Sequence, residues 1–416
     1  MKVFFKTFLM LLILISTFSL QSQVTNQWRG NDRKGVYDEK NLLKSWPQGG
    51  PQLLWNVDFI GNGYGSPAIT SDRIYITGEI DSIAYLFALD LNGKLIWKSD
   101  FGREWVKTFP GSRSTPTVDG NFVYVISGLG NIACFDAKSG VRKWFVDMMK
   151  ELHGQFTMHG HSESPLIDDD KVFLVPGGKD TNVVAFNKLT GKILWICKGK
   201  GERPAYNAPV LVKLKERNLL VTFTAYSLMG IDTKTGELLW VHDQDNVPAD
   251  KKGQYGWGDT HSNSIWYEDG FIYYIEGDGN GAVKLQLSPD GKSIKQIWRN
   301  QDIDNYMGGF IVKGNSIYTC ISERKGFRVL DALTGKVTDS LKCGAGSIID
   351  ADNMLYYYNQ KGEVSLISTS SGKPAIISAF KITAGTKEHF SHPVIRDGIL
   401  YIRHGKVLLA YDIKNK

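Results

Sequence analysis

Ala185-Phe186-Asn187-Lys188-Leu189-Thr190-Gly191-Lys192-Ile193-Leu194-Trp195 and Gly230-Ile231-Asp232-Thr233-Lys234-Thr235-Gly236-Glu237-Leu238-Leu239-Trp240 are two versions of one phrase, 45 positions apart. Each runs from a small residue through an apolar one to Asp or Asn, then to Gly, and reaches Trp four positions later. The Asp or Asn side chain can accept backbone N–H groups in a turn, and Gly supplies the positive φ such a turn requires. Trp then stands on the outgoing strand, where its large apolar face can pack between neighbouring units.

The phrase recurs along the chain. Ala88-Leu89-Asp90 leads to Gly93 and Trp97, and Cys134-Phe135-Asp136 leads to Gly140 and Trp144. A degenerate copy runs from Lys284-Leu285 through Gly291 to Trp298. Val329-Leu330-Asp331 with Gly335, and Leu366-Ile367 with Gly372, have lost the Trp, and Ala410-Tyr411-Asp412 closes the series. Successive glycines lie 47, 51, 45, 55, 44 and 37 residues apart. Four short strands in such a period are the signature of a β-propeller. Upstream of each phrase stands a β-branched and aromatic strand, such as Ile74-Tyr75-Ile76 or Val123-Tyr124-Val125. Before that comes an innermost strand, often opened by Pro: Ser66-Pro67, Thr115-Pro116, Ser164-Pro165, Ala208-Pro209 and His392-Pro393. The count is eight. The eighth unit has no room for its outer strand after Asp412-Ile413, whereas Gln52-Leu53-Leu54-Trp55-Asn56-Val57 reads like the missing piece. An all-β, eight-bladed propeller of four-stranded antiparallel blades is expected, its ring closed by that N-terminal strand. Closure removes exposed sheet edges.

Composition narrows the function classes. With 42% hydrophobic and 22% charged residues the chain is not disordered, and 44 Gly against 13 Pro suit many turns and strands. A formal charge of +6, two units of which sit on Lys2 and Lys6, is too small to call for nucleic acid. Lys2 and Lys6, the apolar run Phe8–Phe18, and polar Ser19, Ser22 and Gln23 make a secretory signal peptide over residues 1–22. That leaves one domain over 23–416, exported to the periplasm or secreted, with no transmembrane segment in the mature chain; a monomer is expected. Cys134, Cys197, Cys320 and Cys343 form neither a disulfide framework nor a zinc cluster and read as buried thiols, with a Cys320–Cys343 pair left open. Asp278-Gly279-Asn280-Gly281 resembles the start of a calcium loop, but Pro289 stands where the closing Glu belongs, so a hairpin turn is expected.

The two full phrases closely resemble pyrroloquinoline-quinone-like (PQQ-like) repeats, found in eight-bladed quinoprotein alcohol dehydrogenases and in BamB-type outer-membrane assembly factors. Gln27-Trp28-Arg29-Gly30, with Trp46-Pro47 and Gly50-Pro51, resembles the opening of exported bacterial proteins of this class. The resemblance covers essentially the mature chain and speaks to fold. It says little about activity, because the repeat encodes turns and packing. Two family features are absent: an adjacent Cys-Cys pair, and a Cys-x-x-Cys-His for attached haem. No lipidation cysteine follows the apolar run.

Chemistry is expected in the loops that lead into the innermost strands, because these converge on one mouth of the central channel. They hold Tyr64, Arg113, His159-Gly160-His161-Ser162-Glu163, Tyr206-Asn207, Trp257-Gly258-Asp259-Thr260-His261, Asn305-Tyr306 and His389-Phe390-Ser391-His392, and with them five of the eight histidines. For PQQ with Ca²⁺, which the resemblance implies, Trp257 offers an aromatic floor, Arg113 a cation, Glu163 and Asn207 oxygen ligands, and Asp259 a carboxylate base. For a metal ion, His159, His161, Glu163 and His261 form a His/carboxylate set. For a carbohydrate-active lyase, His161 or His261 with Tyr206 supplies acid and base, and Arg113 neutralises a uronate. The leading expectation is a protein that binds a small molecule, a carbohydrate or a protein partner at a polar, His-rich mouth; a quinoprotein-type oxidoreductase and a lyase or metal enzyme are the alternatives.

Overall fold

The structure, a computed structural model, describes residues 26–244, 246–322 and 326–416, so the expected signal peptide lies outside the described residues. Eight four-stranded antiparallel sheets follow one another along the chain, and the only α-helix described is the single turn Met148–Glu151. Gln52–Val57 pairs antiparallel with Val407–Asp412, so the first full strand completes the last blade and shuts the ring. The seventh blade carries an extra parallel strand, Val36–Tyr37, against Gly346–Ala351.

The phrase has a mechanical meaning. In every blade the outer strand slips by one residue relative to its neighbour, a β-bulge at the same place. The slip sets Trp97, Trp144, Trp195 and Trp240 opposite Ala88, Cys134, Ala185 and Gly230. The first position of the phrase is small for that reason: a Cβ on Gly230 would stand 2.0 Å from Trp240. Three of these indoles lie over the turn Gly of the next blade, Trp97 on Gly140, Trp144 on Gly191 and Trp195 on Gly236, where a Cβ on either of the last two would approach to 2.8 Å. The Trp144 N–H donates to the Lys188 carbonyl at 2.9 Å and the Trp195 N–H to the Thr233 carbonyl at 3.0 Å, each in that same turn, whereas the Trp97 N–H is buried without a partner. The turn carboxylates and amides act as expected. Asp136, Asn187, Asp232 and Asp331 each accept two backbone N–H groups through one oxygen. Gly277–Gly281 is the expected hairpin turn, and all four cysteines are buried free thiols.

The channel is not open. Residues 26–37 thread it as a strap. Asn26 exchanges hydrogen bonds with Val118 of blade 2. The Arg33 guanidinium donates to the carbonyls of Ser164, Pro165 and Pro209, in blades 3 and 4. Ser264 of blade 5 donates to the Arg33 carbonyl. Arg29 donates to Phe310 and Ile348 of blades 6 and 7, and meets His392 Nδ1 of blade 8 at 2.9 Å. Both arginines are 1% exposed. Burial lowers their pKa values to about 10 and about 9, so both remain cationic at neutral pH. Backbone carbonyls at the inner edges of the blades, otherwise short of partners, are satisfied by these two fixed forks of donors.

Candidate binding site at the channel mouth

All innermost strands run the same way along the channel, so the loops that lead into them gather at one end. There they enclose a cavity of about 400 Å³ whose floor is Trp28 of the strap. Every blade except the seventh contributes to its wall. Aromatic rings succeed one another around the wall. Tyr64 lies 5.6 Å from Phe390, Phe390 5.9 Å from Phe109, Phe109 5.4 Å from His159, and His159 5.9 Å from Tyr206. Trp28 meets the edge of His392 at 5.3 Å.

The backbone alternation of extended chain decides which residues reach this cup. Ser162 and Ser164, Tyr206 and Ala208, Thr260 and Ser262, and Phe390 and His392 line it. The residues between them turn into the blades. His161 is 1% exposed, edge-on to Phe156, with Nε2 lacking a protein partner, and burial lowers its pKa to about 4. His261 stacks on Phe223 at 4.3 Å with Nε2 3.2 Å from the Ala225 carbonyl, and burial lowers it to about 4 as well. Asn207 is buried and donates to the Ala208 carbonyl. Glu163 is buried with both oxygens near the Val175 N–H, and desolvation raises its pKa to about 8. Glu104, Glu202 and Glu276 hold backbone N–H groups in the same fashion in blades 2, 4 and 5, so Glu163 belongs to a repeated staple.

The expected metal set of His159, His161, Glu163 and His261 is therefore not gathered. Only His159 lines the cup, and among the described residues no group of three or more His, Cys, Asp or Glu is placed to hold a metal. Trp257 does not form the floor; it is exposed, under Lys251 at 5.0 Å. The mouth is aromatic more than His-rich, since His389 packs away against His404 and Tyr358.

The ionisable groups that do reach the cup already have partners. Arg113 turns its guanidinium onto its own loop, donating to the Thr108, Phe109 and Gly111 carbonyls. Asp259 takes a two-pronged contact from Arg203 at 2.7 and 3.1 Å through one oxygen and the Gly256 N–H through the other. Tyr64 donates to Glu388 at 2.6 Å. Burial raises the Tyr206 hydroxyl to about 12, and the His159 ring, which meets Thr108 Oγ1 at 3.0 Å, is lowered first by burial and then by Arg113. Polar character in the loops does not point to Phe109, Met158 or Trp28, all of which line the cup. A large apolar side chain beside Pro and Gly in a lead-in loop, as in Phe109-Pro110-Gly111, was the available signal.

The sequence pattern of the family described as outer membrane protein assembly factor BamB matches residues 82–340. The chain belongs to this family of PQQ-like propellers. Quinoprotein ethanol dehydrogenase of Pseudomonas aeruginosa is 29% identical over 224 residues, 53% of this chain and 27% of that protein. The enzyme of the same name from Pseudomonas putida is 26% identical over 157 residues, 35% of this chain and 24% of that protein. The matched segments thus span about a quarter of these relatives. Among solved structures, BamB from Moraxella catarrhalis superposes with a TM-score of 0.62 at 12% identity, over 87% of this chain and 99% of that one. A europium-containing methanol dehydrogenase superposes with a TM-score of 0.51 at 12% identity, over 91% and 90%. At these identities the likeness is one of fold.

The residues at the cup do not fit PQQ with Ca²⁺. Trp28 supplies a floor, but the cation Arg113 is turned onto its own loop, the carboxylate Asp259 is held by Arg203, and the proposed oxygen ligands Glu163 and Asn207 face into the blades.

Proposed function

We propose that this chain is an exported binding protein that engages a ligand or partner at the aromatic cup without covalent chemistry. One observation carries the reading: the acid, base and cationic groups that reach the cavity are spent on intramolecular partners, while the rings around them are presented to its interior. A general base must reach the proton it removes, and an electrostatic catalyst needs donors aimed at developing charge. Neither arrangement is built here. Exposed Phe109 and Met158 at the rim suit a surface that meets something else. The family's description as an assembly factor agrees with work done by contact. The basic and apolar pattern of residues 1–22 supports export, and no described helix is long and apolar enough to cross a membrane.

The test is reconstitution of the purified chain with PQQ and Ca²⁺. No quinone uptake at micromolar cofactor, and no dye-linked oxidation of alcohols or sugars, is the expected result. Stoichiometric uptake accompanied by oxidation overturns the binding reading in favour of a dehydrogenase. Cell fractionation tests export.

A further inference from the structure

Resting on that reading of the mouth as a binding site, we infer that the cup takes an uncharged saccharide, one or two sugar rings laid against Trp28 and encircled by Tyr64, Phe109, Tyr206 and Phe390. Four features of the cavity lead there.

Its floor is rigid. Trp28 is followed by Arg29, whose guanidinium is fixed by the Lys34, Phe310 and Ile348 carbonyls and by His392. The indole is thus held in place before any ligand arrives, which lowers the ordering cost of binding. Its wall is made of rings that meet one another at a tilt or edge to face, and its volume of about 400 Å³ falls within the range of small-molecule sites.

The lining is also mixed. Tyr206, His159, Asp259 and Thr260 stand among the rings. A wholly apolar occupant would strip water from the hydrogen-bonding capacity these groups keep beyond their protein partners, such as the second ring nitrogen of His159 and the further lone pairs of Asp259, and return nothing. A sugar ring has a C–H face for the aromatic surfaces and hydroxyls around its edge for the polar groups, so it satisfies both.

Charge is matched to neither sign. A carboxylate or phosphate finds no uncommitted cation, because Arg113 donates to three carbonyls of its own loop. A quaternary ammonium suits an aromatic cage in general. Here it would sit beside the Arg113 guanidinium, while the carboxylate of the lining, Asp259, is already held by Arg203. The uronate reading of Arg113 is set aside on the same ground.

Isothermal titration and indole fluorescence on the purified chain decide the matter, with maltose, cellobiose and N,N′-diacetylchitobiose as probes and galacturonate and choline as charged controls. At least one disaccharide is expected to bind with Kd below about 10 mM, with both controls about tenfold weaker or worse. Trp28→Ala is expected to weaken that binding about tenfold or more, and Trp28→Phe to recover part of the loss. Should Trp28→Ala not fold, Phe109→Ala carries the same expectation, since Phe109 is 43% exposed and its truncation leaves the blades intact. Three silent disaccharides at about 50 mM, equal binding of a charged control, or binding indifferent to the Trp28 and Phe109 substitutions each overturn the saccharide assignment. The binding reading stands or falls separately, on quinone uptake and oxidation.

Discussion

The two ends of the channel, parted by the strap, make an instructive pair. At one end lies the aromatic cup of about 400 Å³; at the other is a larger hollow of about 630 Å³ lined by Asp32, Asp119, Asp168, Lys188 and Lys213 among others. The larger space is the less specific. Its charges come from the far ends of the innermost strands and from hairpin turns, where Lys188 pairs with Asp119 at 2.7 Å and Asp168 accepts from the Asn218 amide at 3.1 Å. The cup draws its residues from seven lead-in loops and fixes them through ring contacts and blade-to-blade hydrogen bonds, such as Ser162 to the Tyr206 carbonyl at 2.7 Å. Volume measures room; recognition needs convergence of groups already held in place.

The sharpest way to break this contrast is to remove the partition. Arg33→Ala leaves the Ser164, Pro165 and Pro209 carbonyls without their buried donor and opens a void between the hollows. It should cost about 3 kcal/mol of unfolding free energy or more, read by urea denaturation. An unchanged midpoint would show that the strap is not a structural member.

Acid comes next. The His161 and His261 pKa values are lowered from 6.5 to about 4 in the folded chain. An unfolded chain takes up those protons first, so stability is retained at neutral pH and declines as pH falls from 6.5 towards 4. Glu163, raised to about 8, acts in the opposite sense, so the test is the comparison with His261→Phe: the urea midpoint of the parent minus that of the variant should shrink from pH 7 through 5.5 to 4.5. A constant difference removes His261 as a cause.

Phe390→Ala tests the cup alone. It deletes the ring that bridges Tyr64 and Phe109 and should weaken the bound saccharide about tenfold, while the unfolding free energy moves by only about 1 kcal/mol. The smallest effect belongs to the opposite end. Asp119→Asn removes the ionic partner of Lys188 while keeping an acceptor oxygen beside it, and should leave binding at the cup untouched. If the two substitutions affect binding equally, the division of labour between the ends is wrong.

How much of this was legible follows from the range of the interactions. Blade number, the closing strand and the Asp–Gly–Trp turn are repeated local chemistry, and repetition makes them visible in one sequence. Which loops meet at the mouth was legible too, because the period sets it. Which side chains they offer was misjudged. Polar character drew attention to His161, Glu163, Asn207 and His261, yet strict alternation sends these into the blades and their neighbours Ser162, Tyr206, Thr260 and Ser262 to the cavity. Read as extended chain anchored on the Pro-led innermost strands, the same residues carry that parity. The strap left no comparable trace. Arg29 and Arg33 bond to carbonyls 131 to 319 positions away, and nothing near them in sequence announces a buried guanidinium.

The seam between Gln52–Val57 and Val407–Asp412 also sets a schedule. Ribosomes deliver the first of these segments more than three hundred residues before the second. Throughout that interval it has no mate, and the carbonyl cradle for Arg29 and Arg33 is equally unfinished. Maturation of this chain therefore waits on the arrival of its final hairpin, a long-range pairing expected to be slow. A nascent chain stalled before residue 400 would hold stacked blades and an unlatched circle.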